Sequence, residues 1–283
     1  MTVPPPPPTT DSDHYLLVTD DDGVRTITIA RPEKMNAVTP AMVRRYTALL
    51  LAAAADPEVR VIVVTGKGRS FCAGIDTATL QALDSGAARS EKLRRHWFTT
   101  RIPKPVIGAI NGACVGLGVV LAMMCDMRVA NRSAHMGAGF TRVGLPAEHA
   151  LTWSLVHSVG YARAFEFLAR GRSFAGTDLM RLGLVNEVVD DAQLNAHVIE
   201  IARGMADLCS PHSLAMLKRQ LHGSILRPVE EVDAEADRLI AASLNGPDFQ
   251  EAMMARRQER KPQFAGIGAD TDWWPLEPKP LLP

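Results

Sequence analysis

The stretch RVIVVTG, Arg60 to Gly66, sets four β-branched apolar residues side by side, Val61 to Val64, and leaves neither face of a strand for water. A strand apolar on both faces has to be covered on both, which places it inside a parallel sheet flanked by helices. The segment before it, TPAMVRRYTALLLAAAADP, has Thr39 as a cap, Pro40 at the first helical position and apolar residues at helical spacing. After the KGRSFCAGID loop the pattern predicts a helix over about 78–98, the strand PVIGAI, a helix opening at GLGVVL and the short strand MRVA. This alternation implies βαβ units and an α/β fold class. Upstream, HYLLVTD and VRTITIA flank DDDG as a hairpin. From Ala147 onward the pattern is helical apart from GLVNEVV, with amphipathic helices near 190–209, 211–222, 228–243 and 247–258. No internal repeat is visible.

The 283 residues, 47% of them hydrophobic, suffice for one large domain with an appendage. The reading divides them into a proline-rich lead-in (1–13), a core (14–205), a C-terminal helical region (206–264) and an extended tail rich in Pro and Trp (265–283). The lead-in, MTVPPPPPTTDSD, has no apolar core, so it reads as disordered or polyproline chain and not as a signal peptide. Thirty-one basic residues balance 31 acidic ones, which argues against nucleic-acid or membrane-surface binding. No apolar run reaches the roughly 18 to 20 residues of a membrane helix, because Asn111, Asp126 and Arg128 interrupt the richest one. Cys72, Cys114, Cys125 and Cys209 lie in apolar contexts without a CxxC pair, as expected of buried, reduced thiols in a cytoplasmic enzyme.

Familiar catalytic machinery is absent from the sequence. There is no GxSxG, no HExxH and no P-loop, and GLGVVL lacks the third glycine and the acidic residue of a dinucleotide fingerprint. The histidines are scattered, so a metal site has no support. What remains is the main chain. A helix start presents unpaired N–H groups, and Gly116 lets a ligand approach the amide of Leu117. In SFCAGID, Ala73-Gly74 permits a sharp turn that leaves the N–H of Ile75 free. Two converging N–H groups would make an oxyanion hole. Two ordinary tight turns explain the glycines equally well.

The stretches RPEKMNAV, VIVVTGKGRSFCAGID, RIPKPVIGAINGACVGLGVVLAMMCDMRVA and FEFLARGRSFAGTDLMRLGLVNEVV resemble the crotonase (enoyl-CoA hydratase/isomerase) superfamily, over about His14 to Phe264. The resemblance implies a crotonase-like fold of repeated ββα units with a C-terminal helical trimerisation region, and a homotrimer or dimer of trimers. It implies an acyl-CoA thioester as substrate, as in fatty acid metabolism, with no cofactor beyond the coenzyme A that the substrate carries. It places the thioester oxygen between the N–H groups of Ile75 and Leu117, beside Gly116, with Leu117, Val119 and Val120 lining an acyl pocket. Lys34, Met35, Ala37, Ala73 and Asp76 become neighbours of coenzyme A. Lys261 and Phe264 match a lysine and a phenylalanine that often reach the coenzyme A of an adjacent subunit, although RRQERK reads equally as a solvated helix end.

The chain departs from the family's hydratases. They carry one catalytic glutamate three residues after the second oxyanion position and another further on, where this chain has Val120 and Phe140. Glu148 instead falls where the family's Δ3-Δ2-enoyl-CoA isomerases place their single glutamate, and those enzymes also tend to have a bulky aliphatic residue at the Leu117 position. By its local sequence alone Glu148 reads as a first-turn helix cap, and the resemblance turns it into a base. An apolar pocket of Val119, Val120, Phe140 and Leu145 would strengthen that base. His149 reads as a packing histidine more readily than as a proton relay, Asp126 as structural, and Asp76 as a loop anchor. Leu80, Leu83 and Trp97 are candidates for the far end of the acyl pocket. The expected function is double-bond isomerisation of an enoyl-CoA. Hydration by Glu148 alone and non-catalytic acyl-CoA binding stand as alternatives.

Overall fold

The computed structural model describes residues 14–84, 96–269 and 271, with backbone alone at 80 and 82–84. The expected lead-in, both tail tryptophans and the Leu80 and Leu83 side chains lie outside what is described. The hairpin forms as read: β1 (Leu16–Asp21) pairs antiparallel with β2 (Val24–Ile29). β2 then joins β3 (Val61–Gly66), β5 (Val106–Ile110), β7 (Met127–Asn131) and β10 (Glu187–Val189) as parallel neighbours in a sheet ordered β1-β2-β3-β5-β7-β10.

Every residue of β3 is buried, as its composition requires. Its side chains alternate between two layers. Ile62 and Val64 enter the main core with α1 (Pro40–Ala55) and α3 (Leu117–Met123). Val61 and Val63 meet Leu194, Val198 and Ala202 of α7 (Leu194–Leu208) on the opposite face. Helix α1 begins as predicted, with Thr39 Oγ1 accepting from the Met42 amide at 3.3 Å and Pro40 following the cap.

A second sheet went unread. Three-residue strands β4 (Ser70–Cys72), β6 (Ala113–Val115), β8 (His135–Gly137) and β9 (Ser173–Ala175) pair in that order, the last two antiparallel. Strands this short carry no alternation to detect, so the SFC of the supposed 67–76 loop passed as irregular chain. The chain thus runs β3 to β4, β5 to β6 and β7 to β8, each time from the large sheet to the small one. Helices α2 (Thr77–Asp84) and α3 follow the first two pairs, and a 3-10 turn over Gly139–Val143 follows the third. The repeat invisible in the side chains is present in the backbone. Gly116 before α3 has φ 55 and ψ −118, and Gly176 before α6 (Thr177–Leu182) has φ 53 and ψ −125.

Of the helix expected over 78–98, the stretch Thr77–Asp84 is described as α2 and His96–Arg101 forms a 3-10 turn, while 85–95 lie outside the described residues. Helices α4 (Leu151–Val159) and α5 (Tyr161–Arg170) fall in the stretch read as helical after Ala147, and α7, α8 (Pro211–Ser224), α9 (Val229–Leu244) and α10 (Pro247–Arg257) lie close to their predicted spans. Lys218 of α8 ties this region to the sheet, its Nζ donating to Asp126 Oδ2 at 2.7 Å and to the Thr99 and Lys104 carbonyls. Asp126 also accepts from the Val106 amide, which makes it the structural residue anticipated. All four cysteines are free thiols, three buried and Cys209 half-buried. Among the described residues no helix is long and apolar enough to cross a membrane.

Candidate functional site

The site grows from two loops stitched side by side. The Ala73 amide donates to the Met35 carbonyl at 3.0 Å, the Val38 amide to the Gly74 carbonyl at 2.8 Å and the Asp76 amide to the Val38 carbonyl at 2.9 Å. The loop of Lys34, Met35 and Ala37 is thereby brought against the loop of Ala73 and Asp76. Met35 and Asn36 are both left-handed, and the buried Asn36 holds that turn by accepting from the Arg31 amide and donating to the Lys67 and Ser70 carbonyls. Arg31 and Asn36 lay inside a stretch singled out from sequence, yet neither role was foreseen, because both depend on loops joined only in three dimensions.

Gly74 donates its own amide to Cys72 Sγ at 3.4 Å. Of the four successive amides from Ala73 to Asp76, only that of Ile75 has no acceptor among the described residues. The Leu117 amide, first of α3, likewise has none, whereas the Gly116 amide donates to the Gly137 carbonyl at 3.0 Å. The two loops touch at their glycines: a Cβ on Gly74, whose φ is +103°, would stand 3.6 Å from the Leu117 nitrogen and 3.1 Å from the Val115 carbonyl oxygen. Gly118 brings α3 equally close to β4, since a Cβ there would meet the Cys72 carbonyl oxygen at 2.1 Å. Two free amides beside a cradle that side chains would fill are what an oxyanion hole requires.

The walls are apolar, with corrections. Leu117, Val119 and Val120 are buried in the main core, Val119 and Val120 completely, so they back the site from inside instead of opening onto it. Phe140 and Ala147 pack against that same core, but Leu145 is 57% exposed and does not enclose Glu148. Glu148 also starts no helix. It precedes two left-handed residues, His149 (φ 52) and Ala150 (φ 60), and α4 begins only at Leu151, with no side-chain cap. The capping reading is removed, and the carboxylate, 40% exposed, faces Nε2 of His149 at 3.7 Å.

Asp76 anchors as expected: Arg31 Nη1 donates to its Oδ2 at 2.6 Å, and its Oδ1 accepts from the Ala78 amide at the start of α2. The hydrogen bond from Arg31 holds its carboxyl below the usual range despite burial. Burial pushes the Cys72 thiol up to about 12, so it remains protonated and is no nucleophile. Trp97 is half-buried against the core, under the guanidinium of Arg101. Lys261 pairs with Asp207 of α7 at 2.7 Å, and the buried Phe264 accepts from Arg60 through its carbonyl. Among the described residues no cluster of His, Cys, Asp or Glu could hold a metal ion.

The model of the family described as enoyl-CoA hydratase/isomerase matches residues 19–267. A probable enoyl-CoA hydratase of Rhodobacter capsulatus is 33% identical, over 87% of this chain and 95% of that protein. A 1,2-epoxyphenylacetyl-CoA isomerase of Escherichia coli K12 is 30% identical, over 86% and 95%. The crystal structure of a probable enoyl-CoA hydratase/isomerase from Mycobacterium abscessus superposes with a TM-score of 0.82 at 28% identity, covering 89% of this chain and 98% of that one.

Proposed function

The chain belongs to the enoyl-CoA hydratase/isomerase family, and from that premise we propose that it moves the double bond of an enoyl-CoA thioester. The thioester oxygen binds between the amides of Ile75 and Leu117, where removal of a C2 proton leaves an enolate. Glu148 takes that proton and returns it at C4. The observation that carries this reading is the pair of unpartnered amides on touching glycine loops, together with Val120 and Phe140 where hydratases carry acids. Each oxyanion donor contributes about 3 to 4 kcal/mol to transition-state stabilisation, so the hole with its two donors is the largest contribution to this mechanism. One carboxylate suffices to carry a proton between two carbons of the same substrate.

A second reading, hydration by Glu148 alone, is favoured by the hydratase names of several relatives. The deciding assay offers a 3-enoyl-CoA and, separately, a 2-enoyl-CoA to the protein and to Glu148→Gln. Migration of the 3-enoyl double bond, reduced at least about a hundredfold in the variant, is the expected result. Water addition to the 2-enoyl substrate without migration would replace isomerisation by hydration. Retained acyl-CoA binding with no turnover of either would leave a non-catalytic binder.

Assembly as a homotrimer or dimer of trimers is part of the same proposal. Leu217 and Leu221 form an exposed apolar stripe one turn apart on α8, beside the exposed Leu226. Light scattering on the purified protein measures the state directly.

A further inference from the structure

His149 lies between the carboxylate of Glu148 and a second histidine that sequence reasoning passed over. Its Nε2 stands 3.7 Å from Glu148 Oε2, and its ring meets that of His96 edge-on, with centroids 5.0 Å apart and planes at 61°. His96 comes from the 3-10 turn at His96–Arg101 and is 1% exposed, while the His149 side chain is 17% exposed. Two successive left-handed residues, neither of them glycine, hold this arrangement. A β-carbon makes that backbone unfavourable, and such strain persists where the surroundings enforce it.

The two rings are not equivalent. Burial, reinforced by the adjacent His149, pushes His96 down to about 3, so it stays neutral where enzymes work. His149 has a carboxylate on one side and partial access to water on the other. Of the two rings, that of His149 is the one whose nitrogen faces the Glu148 carboxylate.

We propose that His149 is a positioning residue for Glu148 and holds its proton between the two halves of the reaction; this rests on Glu148 being the acid–base residue. The C2–H bond breaks, its electron pair passes into the enolate held by the Ile75 and Leu117 amides, and the proton goes to Glu148 Oε2. It then moves to Nε2 of the neutral His149, leaving a carboxylate and an imidazolium. It returns through Glu148 to C4 as the thioester carbonyl and the conjugated double bond form. The 3.7 Å gap is longer than a hydrogen bond and closes by rotation of the half-exposed glutamate, as such contacts do when substrate binds. His96 fixes the edge of the His149 ring without competing for the proton.

The test requires only enolate formation. A saturated acyl-CoA is incubated in D2O with the protein, Glu148→Gln, His149→Gln and His149→Asn, and deuterium at C2 is followed by mass spectrometry. Asparagine tolerates left-handed backbone, so the second His149 variant keeps the turn. Circular dichroism and the affinity for the same acyl-CoA establish that each variant is folded and binds. The expected result is exchange in the wild type, none with Glu148→Gln, and a slowing of about tenfold or more in both His149 variants with affinity unchanged. Exchange within about twofold of wild type in either folded His149 variant overturns the proposal. Exchange that depends on His149 in a protein that migrates no double bond supports the proposal and sinks the isomerase reading alone. A wild type that exchanges nothing overturns both.

Discussion

The guanidinium of Arg31 and the carboxylate of Asp76, 2.6 Å apart, join the loop after β2 to the start of α2 and thereby fix the peptide that carries the Ile75 amide. Arg31 also donates to the Ala37 carbonyl, so one side chain spans both loops. Replacing Asp76 by alanine deprives a largely buried guanidinium of its hydrogen-bonded carboxylate. We expect a loss of about 1 to 3 kcal/mol in thermal or denaturant unfolding. The catalytic loss is larger than a change in KM accounts for, because a displaced donor weakens the transition state. Since the native carboxyl lies below its unfolded value, the pair's contribution is complete above about pH 4 and fades as pH falls further.

Glycine has opposite consequences at two helical positions. Gly118→Ala drives a Cβ to 2.1 Å from the Cys72 carbonyl oxygen, and backbone cannot yield as a side-chain end can. The expected cost is at least about 3 kcal/mol, or failure to fold. Gly204→Ala on the exposed face of α7 meets nothing within 4 Å and should raise stability by about 0.5 to 1 kcal/mol. Chemical denaturation of the two variants measures both signs.

Putting a hydratase-type glutamate at position 120 will not create a hydratase. Val120 is fully buried among core side chains, so Val120→Glu places a carboxylate where no water reaches it. A destabilisation of about 3 kcal/mol or more is expected. Water addition to a 2-enoyl-CoA should not rise; a gain in that activity would show that the helix can turn this side chain toward substrate.

His96 makes the fold acid-sensitive. Its native value drops from the usual 6.5 to about 3 through burial and the neighbouring His149, so below pH 6.5 the unfolded chain takes up a proton that the native state refuses. Stability therefore declines as pH falls from 6.5 toward 3, by on the order of 3 to 5 kcal/mol from this group. His96→Phe should flatten that part of the curve of unfolding free energy against pH. An unchanged slope would assign the acid sensitivity to other groups.

What the sequence made legible follows from period and length. The continuous apolar run of β3, the Thr39-Pro40 start of α1 and the amphipathic helices α7 to α10 each repeat a pattern long enough to read. The strands of the small sheet span three residues, and their pairing partners lie tens of residues away, so no local pattern announced them. The touching loops of Gly74 and Gly116 were legible as motifs, and their amides as candidate donors. The burial of Val119 and Val120, the exposure of Leu145 and the turn that separates Glu148 from α4 were not, because packing and consecutive left-handed residues decide them. His96 left no signal at all. Its importance comes from a ring that approaches it from some fifty positions further along the chain.

The donors at Ile75 and Leu117 belong to the main chain, and this has a consequence for descent. No exchange of either side chain deletes an N–H, short of proline. The neighbouring glycines, 74, 116 and 118, are instead fixed by space and by dihedral angle. Mutation can therefore rework the acids and walls around these two amides while the amides themselves are inherited intact, and under the proposed function a lineage can change the reaction it performs without passing through an ancestor that has lost its grip on the thioester.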